Sequence, residues 1–317
     1  MPAMWPPDFE PCHDLSPAEW LRPRLLPWGS GTGTPVTSIV PVGYDAYVRV
    51  FHTVGAPAPA ETVTWQEVAD WSGCVFHPLA QFERMSIPMR PNPGPPPFDQ
   101  APFQGDLTPA LCDVLVRQLA GLTETPAFCH FAIWDGAGIL VGGRSSARFS
   151  SRRPLGWLSR PSRGWWNRRS RLRAVGHAVE RPGIGDGEDT AWHEEVARLR
   201  ALDAEVAAWQ EEVARLPRFE HPGRSYLLGR GPIGVAGELD RQPLAPDSWQ
   251  TLGLTPQLWW PEDRAWVVAT EIDFDSTIVA TTNAGAEALL TCEELEALQV
   301  PPDGRLDLDG DEINLPY

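Results

Sequence analysis

Trp266-Val-Val-Ala-Thr-Glu-Ile272, Asp273-Phe-Asp-Ser276 and Thr277-Ile-Val-Ala280 are the stretch from which the fold is read. The outer pieces are rich in β-branched and small apolar residues, and the middle piece is acidic with a serine. Asp and Ser close turns by bonding nearby backbone, so the whole reads as two strands joined in a hairpin. Working outward, residues 44–51 alternate: Tyr44, Ala46, Val48 and Val50 against Asp45, Tyr47 and Arg49. That period of two predicts another strand. Further strands are expected at 36–40, at 127–134 before Asp135-Gly136, and at 224–228.

Helix signals lie between them. Thr64 with Glu67 three residues later has capping-box spacing and predicts a short helix through Trp71. Thr108-Pro109 opens a second helix, with Leu111, Leu115, Leu119 and Leu122 on one stripe and Gly121 at its exit. Residues 284–290 and 293–298 also read as helical. These elements predict an α+β fold, a mainly antiparallel sheet with helices on one face. Residues 1–35, rich in Pro, Trp and Gly, are expected to wrap the surface. Residues 85–103 form a proline-rich loop, and the acidic tail 303–312 is expected to be exposed.

One block stands apart. Between Arg144 and Arg173 there are ten arginines and no acid, with Trp157, Trp165 and Trp166 interleaved. The other 16 arginines face all 42 acids, leaving −26 for the rest of a chain whose net charge is −16. Not one of the cations is a lysine. After the basic loop (144–182) a helix is expected over 190–216, where Val196, Leu199, Leu202, Val206, Trp209, Val213 and Leu216 recur at steps of three or four. The expected organisation is therefore an N-terminal wrap (1–35), one α+β domain (36–143 and 218–317), and an insertion (144–217).

Gly43-Tyr-Asp-Ala-Tyr-Val-Arg-Val-Phe-His52, Phe131-Ala-Ile-Trp-Asp-Gly136 and the segment from Leu258-Trp-Trp-Pro-Glu-Asp-Arg-Ala-Trp266 to Thr277 resemble a family of hypothetical proteins from high-GC actinobacteria. The resemblance covers roughly residues 15–135 and 220–300. It implies a short connection where this chain carries 144–217, and no activity, cofactor or catalytic residue.

Composition limits the function classes. Five scattered cysteines without a CxxC pair argue against a disulfide framework. No apolar run approaches the ~18 residues of a membrane span. With no secretory leader at the start, a cytoplasmic protein with reduced thiols is expected. No metal or cofactor set is expected either. Gly29-Ser-Gly-Thr-Gly33 lacks the preceding strand and the lysine of a phosphate loop, and Cys74-Val-Phe-His77 is half of a zinc site.

Three functional readings follow. The first is a non-catalytic binding protein whose partner is another protein, received in a groove lined by Trp259, Trp260 and Tyr44 with Asp263 and Arg264 beside it. The second is a hydrolase or metal-dependent enzyme using Glu271, Asp273 and Asp275; alternation puts Glu271 and Asp273 on one strand face. Asp273-x-Asp275-x-Thr277 also matches a phosphotransferase nucleophile motif, but only 40 residues follow it. The third binds nucleic acid or anionic lipid through Arg152, Arg153, Arg163, Arg168, Arg169 and Arg171 with Trp165 and Trp166, since guanidinium groups neutralise phosphates and indoles stack. The oligomeric state is open.

Overall fold

The computed structural model describes residues 4–27, 33–57, 61–140, 186–221, 223–244 and 251–315. The basic patch named above, Arg152 to Arg171 with Trp165 and Trp166, lies outside the described residues.

The expected class is what forms: an α+β fold on a mainly antiparallel sheet. Nine of the described strands make one sheet: β1 (Glu10–Pro11), β2 (Ala46–Phe51), β5 (Cys129–Trp134), β6 (Arg218–His221), β7 (Arg224–Gly231), β8 (Leu258–Pro261), β9 (Val267–Ala269), β10 (Ser276–Thr281) and β11 (Ala297–Gln299). Their order is β1-β7-β5-β8-β9-β10-β2-β11, with β6 also on β7, and every pairing is antiparallel. A separate two-stranded ribbon joins β3 (Val54–Gly55) to β4 (Thr62–Val63). The β9–β10 hairpin is the one read from the sequence, with Ile278 opposite Ala269.

Both sheet faces are buried, which is why β2, β9 and β10 read as nearly continuous apolar runs. On the first face, Val48, Val50, Phe131, Leu227, Trp259, Val268 and Val279 point the same way into one core. It is closed by α3 (Pro109–Ala120), α5 (Val235–Arg241) and α6 (Asn283–Leu290). Thr108 caps α3 by accepting from Leu111 N, and the Leu111-Leu115-Leu119 stripe faces the sheet. Trp266 Nε1 donates to Leu119 O across 3.1 Å, tying the end of that helix to the strand.

Among the described residues, Tyr47, Leu228, Leu258, Trp260, Val267 and Ile278 on the second face meet no α-helical layer. They are covered by irregular chain: Ala18, Leu21, Leu25, Val36, Ile39 and Val40. The N-terminal segment is thus part of the main domain, since β1 extends the sheet and Phe9 lies over Gly229, where any Cβ would collide with the ring. A third, smaller core forms where Phe51 at the end of β2 meets α1 (Trp65–Ser72) and α2 (Phe82–Met85). The capping box at Thr64 and Glu67 is present.

Three expectations are corrected. Residues 36–38 form a 3₁₀ turn, not a strand, because their side chains plug the second face. Residues 293–298 hold a turn followed by β11, which pairs with β2. The tail is not free: Leu306 and Asp311 are buried, and the Asp311 carboxylate accepts bonds from His77, Gln81, Ile313 and Asn314. A helix forms where one was expected, α4 (Asp186–Ala214); Leu202, Val206 and Leu216 of the expected stripe pack against the first core, and the side chains of Val196 and Leu199 lie outside the described residues. Its last turns are not a separate module, since Trp209 and Val213 enter the first core and Trp209 meets Trp5 edge-on at 5.0 Å.

Candidate binding site at the Trp20–Arg264 corner

The turn between β8 and β9 is built rigidly. Asp263 accepts from Thr123 Oγ1, Glu124 N and Ala265 N, at 2.7 to 3.1 Å. Burial pushes its carboxyl up, but these bonds and one with Thr125 outweigh burial and hold it below the usual carboxylate range. Asp263 is thus the anchor of the turn, with its oxygens already engaged. With Asp263 fixed, Arg264 is left in the left-handed region at φ +57°. Non-glycine residues seldom stay there without being held. Here Arg264 N donates to Pro261 O at 2.9 Å and Tyr44 Oη donates to Arg264 O at 2.8 Å.

That backbone places the Arg264 guanidinium 4.8 Å from the ring centre of Trp20. Arg24 lies 5.6 Å from the same ring, and its carbonyl accepts from Val42 N just before β2. Both arginines are exposed. Among the described residues neither guanidinium has a carboxylate or hydrogen-bond partner, although acids outnumber arginines 42 to 26. Burial raises the Tyr44 hydroxyl far above its ordinary value, against the pull of both arginines, so it remains a donor.

Trp20 continues inward: it meets Trp260 edge-on at 6.3 Å, and Trp260 stacks on His130 at 5.6 Å. His130 Nε2 contacts Glu262 Oε2 at 2.6 Å, and its buried Nδ1 has no hydrogen-bond partner. On its other side Tyr44 borders an open groove of about 410 Å³, shared with Tyr47, Gln299, Val300, Pro301 and Pro302.

No family model, curated protein or solved structure matches the chain. The site is therefore argued from its own geometry.

The expected groove forms only in part. Tyr44, Asp263 and Arg264 do come together. Trp259 and Trp260 do not line it, because adjacent strand residues point to opposite faces: Trp259 is sealed in the first core and Trp260 in the second, at 0% and 1% exposure. Trp20 and Arg24 were missed in the sequence. Their signal was an arginine and an indole four residues apart in a segment read as a mere wrap.

The three acids of the catalytic reading are divided. Glu271 and Asp273 share Arg224: its Nε and Nη2 reach Glu271 Oε1 at 3.0 and 2.6 Å, and Nη2 reaches Asp273 Oδ2 at 2.6 Å. Asp275 turns the other way, to Arg49 Nη2 at 3.5 Å. Arg49 is enclosed, donating to Ser276 Oγ, Pro78 O and Ala80 O, with its guanidinium 4.7 Å from the Phe51 ring centre. Burial lowers it to about 10 against the pull of Asp275 and Asp311. Asp275 is the counter-ion of a buried arginine.

Thr277 Oγ1 lies 2.9 Å from His52 Nε2, a hydroxyl–imidazole contact of the kind nucleophiles use. Both residues are shut in the core at 0% and 1% exposure. Cys129 and His130 face opposite sides of β5, and His77 is bonded to Asp311 rather than paired with Cys74. Among the described residues no three His, Cys, Asp or Glu side chains could gather round a metal ion.

Proposed function

We propose that this chain is a non-catalytic binding protein that receives an acidic protein segment at the Trp20–Arg264 corner and along the Tyr44–Pro302 groove. The observation carrying this reading is the pair of exposed guanidinium groups over one indole, with no carboxylate partner among the described residues of an acid-rich chain. A guanidinium presents a fork of N–H donors that matches a carboxylate's two oxygens, and indole contact keeps that fork orientated. An open groove suits an extended segment better than a small molecule, which needs most of its surface enclosed. Tyr44, Tyr47, Val300 and the two prolines supply apolar contact beside the anion anchor.

The reading is tested with a fluorescein-labelled peptide of alternating Glu and Phe, followed by fluorescence anisotropy at low salt. Charge-assisted hydrogen bonds contribute about 1.5–3 kcal/mol each. The double variant Arg24→Ala, Arg264→Gly should therefore weaken binding at least about tenfold. Glycine is chosen because it tolerates the left-handed backbone of position 264. Arg117→Ala, which removes an exposed arginine already paired with Glu294, should leave binding unchanged. Equal affinity for the double variant and the native chain refutes the reading.

A further inference from the structure

Arg24 ends a stretch of chain whose direction is fixed. Arg22–Arg24 form a 3₁₀ turn, and Leu25 leaves it in extended conformation at φ −107°, ψ 132°. Neighbouring side chains on extended backbone point to opposite sides. Leu25 takes the inner side and is sealed in the core of the second face. Arg24 and Leu26 therefore share the outer side, and both are exposed. Backbone bonds hold this arrangement from two places: Val42 N donates to Arg24 O at 2.8 Å, and Leu26 N donates to Thr37 O at 2.9 Å.

The apolar side chains beside Arg24 are not tucked away. Leu26 is 45% exposed and Val42 is 40% exposed. A single aliphatic side chain at the surface is ordinary and calls for no explanation. Here two of them flank a guanidinium that has no carboxylate among the described residues. Gly43 follows Val42 at φ +103°, and a Cβ at that position would meet nothing within 4 Å. The rim next to Val42 is thus open to a partner.

The spacing along this rim sets a rule for what it can receive. Side chains two residues apart on extended backbone lie on one side, about 6.6 Å from each other. That is the offset between Arg24 and Leu26. An extended partner segment repeats its own face at the same interval. An acid placed against Arg24 therefore brings the residue two positions away against Leu26, while the residue next to the acid points elsewhere. We infer that the corner selects an acidic residue with a bulky apolar side chain two positions from it. Leu26 is the surface that reads that side chain, and Val42 adds apolar area next to Arg24. This rests on the acidic-partner reading and adds a spacing to it.

Two fluorescein-labelled peptides of one composition and charge test the rule by anisotropy on the full chain at low salt. The spaced peptide is Gly-Ser-Phe-Ser-Glu-Ser-Phe-Ser-Gly, which satisfies the rule in either direction of binding. The adjacent peptide is Gly-Ser-Ser-Phe-Glu-Phe-Ser-Ser-Gly. Partial burial of one phenylalanine on Leu26 should make the spaced peptide bind about fivefold more tightly. Leu26→Ser should remove that preference. Because Leu26 is exposed, the variant should melt close to the native chain, which checks that the fold is kept.

Equal affinity for the two peptides, or a preference that Leu26→Ser leaves unchanged, overturns the spacing rule. The acidic-partner reading survives that result if Arg24→Ala, Arg264→Gly still weakens both peptides. If the double arginine variant binds them as the native chain does, or if neither they nor the alternating Glu/Phe peptide binds at all, both inferences fall. Binding of the alternating peptide alone overturns the spacing rule and leaves the acidic-partner reading standing.

Discussion

Lowering the pH should weaken this protein through His52. Its Nδ1 lies 2.6 Å from Phe103 O, so that nitrogen must carry the proton. The lone pair on Nε2 then accepts from Thr277 Oγ1, which in turn lies 2.8 Å from Thr270 Oγ1. A second proton on the ring would force Thr277 to turn its hydroxyl away, inside a buried site. Burial lowers the ring to about 4, helped by nearby Arg49 and opposed by the Phe103 bond. In the unfolded chain an ordinary histidine titrates near 6.5. The unfolded state therefore takes up the proton first. His52 leaves stability intact above about pH 6.5 and removes it as the pH falls from there to the folded value. A gap of that size corresponds to about 3 kcal/mol, most of it lost by about pH 4.5. Urea unfolding at pH 7.5 and 4.5 measures it, with His52→Asn as the reference because its amide can still donate to Phe103 O. The native chain should lose about 2.5 kcal/mol more than the variant between the two pH values. Equal losses would refute the neutral-imidazole argument.

Other perturbations follow from the same geometry. Arg49→Met strands the buried Asp275 carboxylate and should cost about 3–5 kcal/mol in chemical denaturation, whereas adding Asp275→Leu to it should recover part of that loss. Thr64→Ala removes the cap of α1 and should cost about 1 kcal/mol by the same assay. Trp209→Ala should cost about 3–5 kcal/mol if the end of α4 is fixed in the first core, and near zero if it is not. Asp311 is held well below the usual carboxylate range: burial opposes this, and hydrogen bonds from His77, Asn314 and Gln81 outweigh it. Its contribution is therefore complete above the ordinary carboxylate value and lost as the pH falls below it, so Asp311→Asn should flatten the acid limb of the stability curve.

The parts of the fold legible in the sequence are those where local and tertiary signals agree. The Thr64 and Thr108 caps act within three residues of themselves, and both hold. The β9–β10 hairpin carries its turn chemistry in Asp273 to Ser276. Residues 36–40 misled because β-branched residues also fill a core from irregular chain, and apolar content alone does not separate the two. Residues 293–298 misled because Glu-rich sequence favours a helix, whereas the end of this segment pairs with the edge of β2. The site was half legible: Tyr44 and Arg264 stood out near the conspicuous Trp259-Trp260 pair. Their real neighbours, Trp20 and Arg24, lie more than 200 residues from Arg264 in sequence, and no local pattern links the segment at a 3₁₀ turn to a distant strand connection. Likewise Asp275 looked equivalent to Glu271 and Asp273 until Arg49 and Arg224 drew them to different places.

The acidic-partner reading stands or falls on which arginines meet the ligand. Side-chain Nε–Hε NMR signals of the arginines, assigned by single Arg→Gln variants, report this directly during titration with the Glu/Phe peptide. The account predicts saturable shifts of the Arg24 and Arg264 signals at matching midpoints. Shifts confined to arginines of the 144–173 block, with Arg24 and Arg264 unmoved, would contradict it.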